Sequence, residues 1–375
     1  MAAIEIRKVE SRRDLKAFIN FPFRIYRGNQ YWVPPIVFDE FNTLSKDKNP
    51  AFDFSEAEYW LAYRDGKLAG RIAAIINNRY IEKWGNKYGR FGWVEFIEDF
   101  DVASALFKTA EDWLRSKGMT GVNGPMGFTD LDKEGLLIEG FNELGTMPMI
   151  YNHPYYAEYI ERLGYKKDVD WLEYEVQVPA SIPEKVLRVQ NIVAERTGMH
   201  VYEWKKASEL KQKFAKDIFA LVDEAYAPLY GTTPLSQRQV DAYIDQYLGF
   251  ADPRFTKIVV DKDDKLVTFG IVFPSLSRAL QRARGRVFPF GWIHILNALK
   301  KPKGIDMLLI AVTPQYKAQG AVAFLMTSLI KSCLDAGVVS AETAGELETN
   351  IEVQSLWKGY DRRQHKRRRA YLKML

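Results

Sequence analysis

Residues 305–337 read IDMLLIAVTPQYKAQGAVAFLMTSLIKSCLDAG. Ile305 to Val312 is a nearly continuous apolar run, the pattern of a strand covered on both faces. Thr313-Pro314 breaks it, because proline offers no N–H to a ladder and restricts the residue before it. A short loop with Lys317, Gln319 and Gly320 follows. Phe324, Leu325, Ser328, Leu329 and Ser332 then recur at near-helical spacing until Gly337 stops the helix. A strand, a glycine-bearing loop and a helix amino end together aim free backbone N–H groups at one point, with the helix dipole behind them. That is an anion site suited to a pyrophosphate. The competing reading of the same residues is an ordinary strand-to-helix turn.

Outward from this stretch, 375 residues with 47% apolar content are enough to bury substantial cores, and the length favours two domains. The single cysteine, Cys333, lies in the long helix and has no partner for an internal disulfide, which fits a reducing cytoplasm. The start MAAIEIRKVESRRD lacks an apolar signal core. Nowhere do eighteen apolar residues follow one another, so neither an export signal nor a spanning helix is expected. The net charge of +5 is uneven: 278–303 and 358–373 carry +7 each, which leaves the remainder at −9. Such patches attract the phosphates of CoA, anionic lipid or nucleic acid.

The rest of the chain divides into two similar runs of elements. In the first, IEIRKVE alternates like a half-buried strand, and 12–27 is an amphipathic helix that Pro22 must bend. Trp32-Val33-Pro34-Pro35 is extended. Ala57–Tyr63 and Leu68–Ile76 form a hairpin about Asp65-Gly66. Strand Arg90–Ile97, a helix opened by Asp99 or Asp101, the short strand Gly121–Gly127, the helix in HPYYAEYIERLGY and a last strand complete it. Pro179 and Pro183 mark a linker. The second run has helix 183–197, strand 199–205, a helix near 209–226 and one capped by Thr233 or Ser236. The hairpin Lys257–Val260/Leu266–Phe273 and an insertion at 275–304 precede the strand–loop–helix. Strand Val338–Ala344, helix Glu348–Gly359 and strand Arg367–Leu375 end the chain.

Lys317-Ala-Gln-Gly320-Ala-Val322 resembles the acyl-CoA loop of the GNAT N-acyltransferase superfamily, Gln/Arg-x-x-Gly-x-Gly/Ala, with Lys at the first position and Val at the last. The element order is also that of the superfamily. WVPP, DGKLAGRIAA, the Gly121–Pro125 strand and HPYYAEYIERLGY occur together and in sequence, and on these the whole chain resembles a bacterial tandem GNAT-like family that includes bacterial ceramide synthases. The resemblance implies an α/β fold of two tandem GNAT-like domains, each a mixed, mostly antiparallel sheet flanked by helices. Residues 1–178 would form a domain without a phosphate loop, since IEDFDVASALF places Asp99 and Asp101 where a pyrophosphate would be repelled. Residues 184–375 would bind acyl-CoA through Ala311, Val312, Lys317, Gln319, Gly320, Ala321, Val322 and Asn350. A Tyr seven residues after that Asn is the superfamily's general acid. Here the position holds Trp357, and Tyr360 is the nearest phenol.

Amine acylation needs a base and donors for the oxyanion. Glu348 and His294 are the expected bases; the apolar setting of His294 in FGWIHILNAL would keep it neutral. Against this stand the plainer roles: Glu348 and Asn350 as helix caps, His294 as a structural or interfacial residue, and His365 as a solvated member of a basic run. Four separated His and one Cys have no metal-ligand spacing, so no metal is expected, and neither a GxSxG elbow nor a Walker loop is present. The insertion SLSRALQRARGRVFPFGWIHILNALKKPKG sets Phe288, Phe290 and Trp292 among Arg and Lys with no acid, as an interfacial element does. The alternative is a core helix ringed by solvated arginines. The expected function is N-acyl transfer from acyl-CoA or acyl carrier protein to a small or lipidic, sphingoid-type amine, by a cytoplasmic protein touching the inner membrane face through 275–304. The alternative is a non-catalytic binder of lipid or protein on a GNAT-like scaffold. Nucleic acid is not an expected partner, because no RNA-binding motif accompanies the basic tail.

Overall fold

The computed structural model describes residues 4–375 apart from the side chains of Gln246, Tyr247 and Phe250; residues 1–3, the first of the start read above for a signal core, lie outside it. In the first half β1 (Ile4–Lys8) leads to α1 (Arg12–Ile25), which opens with a capping box between Ser11 and Asp14 and contains Pro22. After α2 (Val37–Leu44), β2 (Ser55–Arg64) and β3 (Lys67–Asn77) form the expected hairpin. Its turn is tight because Asp65 and Gly66 both take left-handed φ, 50° and 72°. Then come α3 (Asn78–Trp84), β4 (Tyr88–Phe96), α4 (Phe100–Ser116), β5 (Gly121–Gly124), β6 (Leu136–Glu139), α5 (Tyr155–Arg162) and β7 (Lys166–Gln177).

The second half comprises α6 (Glu184–Thr197), β8 (His200–Val201), α7 (Ala207–Tyr226), α8 (Gln237–Tyr247), β9 (Lys257–Val260) and β10 (Leu266–Pro274). The insertion folds as α9 (Ser277–Ala283) and α10 (Gly291–Lys300). The chain closes with β11 (Gly304–Val312), α11 (Val322–Ala336), β12 (Ser340–Thr343), β13 (Glu346–Leu347), α12 (Ile351–Ser355) and β14 (Arg362–Met374). Strand 199–205 shrinks to two residues, which pair with β9 at the sheet edge. The helix expected over 348–359 is only five residues long, because the Glu348 N–H still bonds to Asp170 O of β7 and Trp357 turns inward.

All these strands join one mixed sheet in the order β1-β2-β3-β4-β5-β14-β7-β12-β11-β10-β9-β8, with β13 on β7 and β6 on β14. The last strand of each half lies in the other half's territory. β14 runs antiparallel to β5, with Tyr371 opposite Gly124, while β7 runs antiparallel to β12, with Val176 opposite Ala341. In the first half Phe91, Phe96, Leu106, Phe107 and Tyr156 pack between the sheet and α4 and α5. In the second, Phe214, Ile218 and Phe219 of α7 cover β9 and β10. Phe324 and Leu325 of α11 pack with Val193 of α6 on the opposite face. Among the described residues no helix is long and apolar enough to cross a membrane.

The exchange of strands explains the basic tail. β14 lies against β7, and the acids of β7 answer its cations. Asp170 holds Arg369 at 2.8 Å, Arg367 at 3.2 Å and Lys167 at 3.2 Å, and Glu175 holds Arg363 at 2.7 Å. Fully buried Glu173 pairs with Arg368 and with Lys366. Burial pushes the Glu173 carboxyl up, but these two cations outweigh it and hold it below the usual carboxylate range. The charges expected to face phosphate or solvent are therefore matched inside the sheet. His365, expected to be solvated, has a side chain only 3% exposed, between Glu342 at 3.2 Å and Glu143 at 3.6 Å.

Asp306 on β11 stands apart from this matching. Burial first, then the neighbouring Glu342 charge, push its carboxyl up to about 7, and its Oδ1 has no partner. Because its folded-state value lies above its unfolded one, the fold favours the protonated form. The stability this gives is complete below pH 4 and is lost as the pH rises through 7. Wild type should therefore lose about 2–4 kcal/mol relative to Asp306→Asn between pH 4 and pH 8. Urea midpoints measured across that range would show it, and parallel profiles for the two proteins would refute it.

Candidate functional site

β11 and β12 pair in parallel only from Gly304/Ser340 to Met307/Thr343. β11 continues to Val312, so beyond Met307 the two strands part and one edge of β11 faces an opening. Ile310 lies at that edge. Its N–H donates to the Tyr226 phenol at 3.3 Å, and the phenol donates back to its carbonyl at 3.1 Å. Met307, where the strands part, packs with Met326, Leu356 and Tyr360 on the buried cluster of Tyr174, Val176 and Trp357. Such an opening takes an extended chain that can pair with a strand edge, with apolar surface below it.

The glycine loop stands at the mouth. Thr313 N–H bonds back to Val267 O at 2.8 Å, ending β11; a short 3-10 helix over Pro314–Gln319 follows. Gly320 takes φ +78°, and a Cβ there would meet Val189 and Val193 of α6 at 3.2 Å, so the position suits glycine both in conformation and in space. Ala321 and Val322 begin α11 without any side-chain cap. Lys317 reaches Glu352 of α12 at 3.3 Å, Gln319 folds back on Gln315 O at 2.9 Å, and Asn350 caps α12 through Val353 N–H at 3.4 Å. Ala311 and Val312 form the end of β11 beside this loop.

The residues expected to act as bases are separated. Glu348 accepts from Lys167 at 2.8 Å and from the Asp170 N–H at 3.3 Å, with Arg367 at 3.9 Å, so its oxygens are committed to the β7–β14 seam. His294 lies half-buried on α10, in the insertion that docks on the first half through Gln281 to the carbonyls of Gln30 and Trp32, both at 2.9 Å. Tyr360 packs on the Trp357 cluster, its hydroxyl buried without a partner and made harder to ionise by that burial. Two groups not singled out from sequence belong to this region. One is Tyr226; the other is Glu346, which accepts from the Trp357 indole at 2.6 Å and is pushed by burial to about 7. Neither has a local sequence signal, because both are brought here by long-range packing. Glu173, Glu342 and His365 also bring ligand-type atoms within 4.8 Å of one another, but Lys366 and Arg368 already lie on those carboxylates.

In the first half β4 and β5 part in the same way after Arg90/Asn123, but the helix start beyond them is already capped. The first turn of α4 is capped by its own Asp99, which accepts from Asp101 N–H at 3.0 Å and Val102 N–H at 3.3 Å, and Arg64 sits on Asp99 at 3.4 Å. The edge of β4 at Phe96 is held by Tyr156, which bonds both its N–H and its carbonyl as Tyr226 does at Ile310, and in addition by Tyr155 at 2.7 Å.

No family model matches the chain. It is 28% identical to Protein YghO of Escherichia coli over 99% of this chain and 95% of that one. It is 25% identical to the bacterial ceramide synthase of Caulobacter vibrioides over 100% of this chain and 98% of that one. In fold it is similar to a tandem GNAT protein from the clavulanic acid biosynthesis pathway, with a TM-score of 0.55 at 12% identity over 99% and 98% of the two chains. It is equally similar, at TM-score 0.55, to the glucosamine N-acetyltransferase region of a fungal multi-domain beta-N-acetylglucosaminidase, covering 38% of that chain. The α/β mixed sheet with its exchanged end strands is thus the tandem GNAT fold, and the chain is a full-length homologue of YghO and of the bacterial ceramide synthase.

Proposed function

We propose that the chain is an N-acyltransferase that takes an acyl group from acyl-CoA, or from an acyl carrier protein, and passes it to a lipidic amine of the sphingoid type. The observation that carries this reading is the opening between β11 and β12 with the uncapped start of α11 at its mouth, in a full-length homologue of a ceramide synthase. In this reading residues 184–375 form the donor-binding domain. The pyrophosphate lies against the 317–322 loop, where Lys317 supplies charge and Gln319, Gly320, Ala321 and Val322 supply backbone N–H groups. The pantetheine follows the edge at Ala311 and Val312 near Asn350, displacing the Tyr226 phenol from Ile310. Tyr360 faces the acyl end. Residues 1–178 contribute the other wall, and the insertion brings the protein to the inner face of the membrane, where long-chain amines reside.

Calorimetric titration with palmitoyl-CoA tests the donor site. Lys317→Glu should weaken binding by about tenfold, roughly 1.4 kcal/mol, because it puts a carboxylate beside the phosphates. Lys317 is largely exposed, so the fold should be unaffected. It is a cleaner probe than Gly320→Asp, which would also have to accommodate φ +78° and the contacts with Val189 and Val193. Equal affinity in Lys317→Glu would move the phosphates elsewhere. Absence of any binding by wild type would favour a non-catalytic lipid or protein binder on this scaffold.

A further inference from the structure

The loop between β5 and β6 carries Asp130, Asp132 and Glu134, and among the described residues no lysine or arginine forms an ion pair with any of them. The nearby cations are engaged elsewhere. Arg90, fully buried, donates to the carbonyls of Gly127 at 3.1 Å, Phe128 at 3.2 Å and Gly231 at 2.9 Å. Lys83 donates to Thr232 Oγ1 at 2.7 Å, and Lys133 reaches Glu40 at 3.9 Å. Two of the three carboxylates have local work: Asp132 accepts from Thr129 N–H at 3.1 Å, and Asp130 accepts from Thr233 N–H at 3.4 Å. Glu134 has none. Its Oε2 is buried with no partner, and burial, then the Asp130 charge, raise its carboxyl well above the ordinary range against the opposing Arg90. Thr233, 4% exposed and bonded through its N–H to Asp130, also has an Oγ1 without a partner.

The opposite wall comes from the second half. The Tyr226 phenol, raised to about 12 by burial, feels the Asp130 charge and at the same time holds the N–H and carbonyl of Ile310. Tyr226 at the end of α7 and Thr233 in the connection that follows it tie Ile310 of β11 and Asp130 of the first half to one segment of chain. Desolvated carboxylates without a cation are costly, and a ligand that brings one positive charge removes that cost, whereas an anionic or neutral ligand does not.

We infer that the acceptor amine enters between the two halves as an ammonium ion and is received by Glu134, with Asp130 and Thr233 beside it. This rests on the N-acyltransferase reading above. Burial favours the protonated Glu134; as the ammonium pairs with it, Glu134 gives that proton to solvent, then takes one proton from the ammonium, and the freed lone pair attacks the thioester carbonyl carbon. The new C–N bond forms and the C–S bond breaks. The second proton lost by the nitrogen goes to the departing thiolate, which leaves as the thiol, and Glu134 releases its proton to solvent. Glu134 is thus both the charge that selects an amine over an alcohol and the base that activates it.

The test uses the full-length protein with palmitoyl-CoA and sphinganine. Glu134→Gln keeps the shape and removes both charge and base. It should weaken sphinganine binding by about tenfold or more and lower kcat/KM for the amine by about a hundredfold or more, with palmitoyl-CoA affinity kept within about twofold. Glu134→Asp should recover part of the loss. Unchanged palmitoyl-CoA binding guards against a folding defect, which would lower both affinities. Sphinganine bound as tightly by Glu134→Gln as by wild type, or turnover within about threefold, overturns the inference. If wild type binds both compounds yet forms no amide, the acyl-transfer reading fails, and the sphinganine affinities still decide whether Glu134 receives the amine.

Discussion

Replacing Phe288, Phe290 and Trp292 together by Ser is expected to release the protein from anionic phospholipid vesicles while leaving its stability and its palmitoyl-CoA affinity in place. These side chains are 79%, 71% and 44% exposed, so they are not the core of a buried helix. Ile293 and Leu296 of α10 extend the same apolar surface into solvent. Arg282, Arg284 and Arg286 precede it and Lys300, Lys301 and Lys303 follow, with no carboxylate between Arg278 and Lys303. An apolar face this large on a helix too short to span, rimmed by one sign of charge, suits the boundary of an anionic bilayer. Each aromatic ring moved out of water contributes about 1.5 kcal/mol or more, so the triple variant should lose roughly three orders of magnitude in partitioning. The basic rim adds about 1 kcal/mol per charge near the surface, so wild-type binding should weaken with salt without vanishing. Vesicle co-sedimentation at two salt concentrations measures both effects. Retained binding by the triple variant would remove the membrane from the proposed function, as would its unfolding, which would show a packing role that the exposure denies.

The second large effect is on stability. Glu173→Ala should destabilise the protein by about 3–5 kcal/mol, because it leaves Arg368 buried without its counter-charge, while Lys366 keeps Glu342. Removing both ends of the pair, Glu173→Met with Arg368→Met, should recover much of that loss, since neither charge then remains to be desolvated. The seam between β7 and β14 joins the two sequence halves, so the loss should appear as an earlier common unfolding transition rather than the melting of one half. Urea unfolding followed by tryptophan fluorescence reads it. A cost below about 1 kcal/mol, or a double variant as unstable as the single one, would mean that water reaches these groups and screens them.

Much of the fold was legible because it is local. The hairpin at Asp65-Gly66 follows from two adjacent residues that tolerate left-handed φ, and the strand–loop–helix of 305–337 from an apolar run, a proline and a glycine. The end of the first half at Gln177 and the start of α6 at Glu184 follow from the prolines between them. The helix expected over 348–359 failed for a non-local reason. The Glu348 N–H bonds to Asp170 O of β7, far away in the chain, and that bond outweighs a weak helical period.

The candidate site was legible only in its loop. The turn over Lys317 to Val322 can be read from order and spacing, since a proline, a left-handed glycine and the apolar period that follows are local signals. Glu348 and the basic tail were misplaced in character, because a charge in the sequence carries no mark of its neighbour. Tertiary structure put Glu348 on Lys167, Arg368 on Glu173 and the Glu134 carboxyl in a buried place without a hydrogen-bond partner. By itself the sequence determined the elements, the two-fold recurrence of their order and the position of the glycine loop, each of which depends on residues within a few places of one another. Only the tertiary structure decided which end strand completes which half, whether Phe288, Phe290 and Trp292 face core or water, and which carboxylates remain without a cation. Those outcomes depend on pairings between distant residues, and chain-local propensity does not encode them.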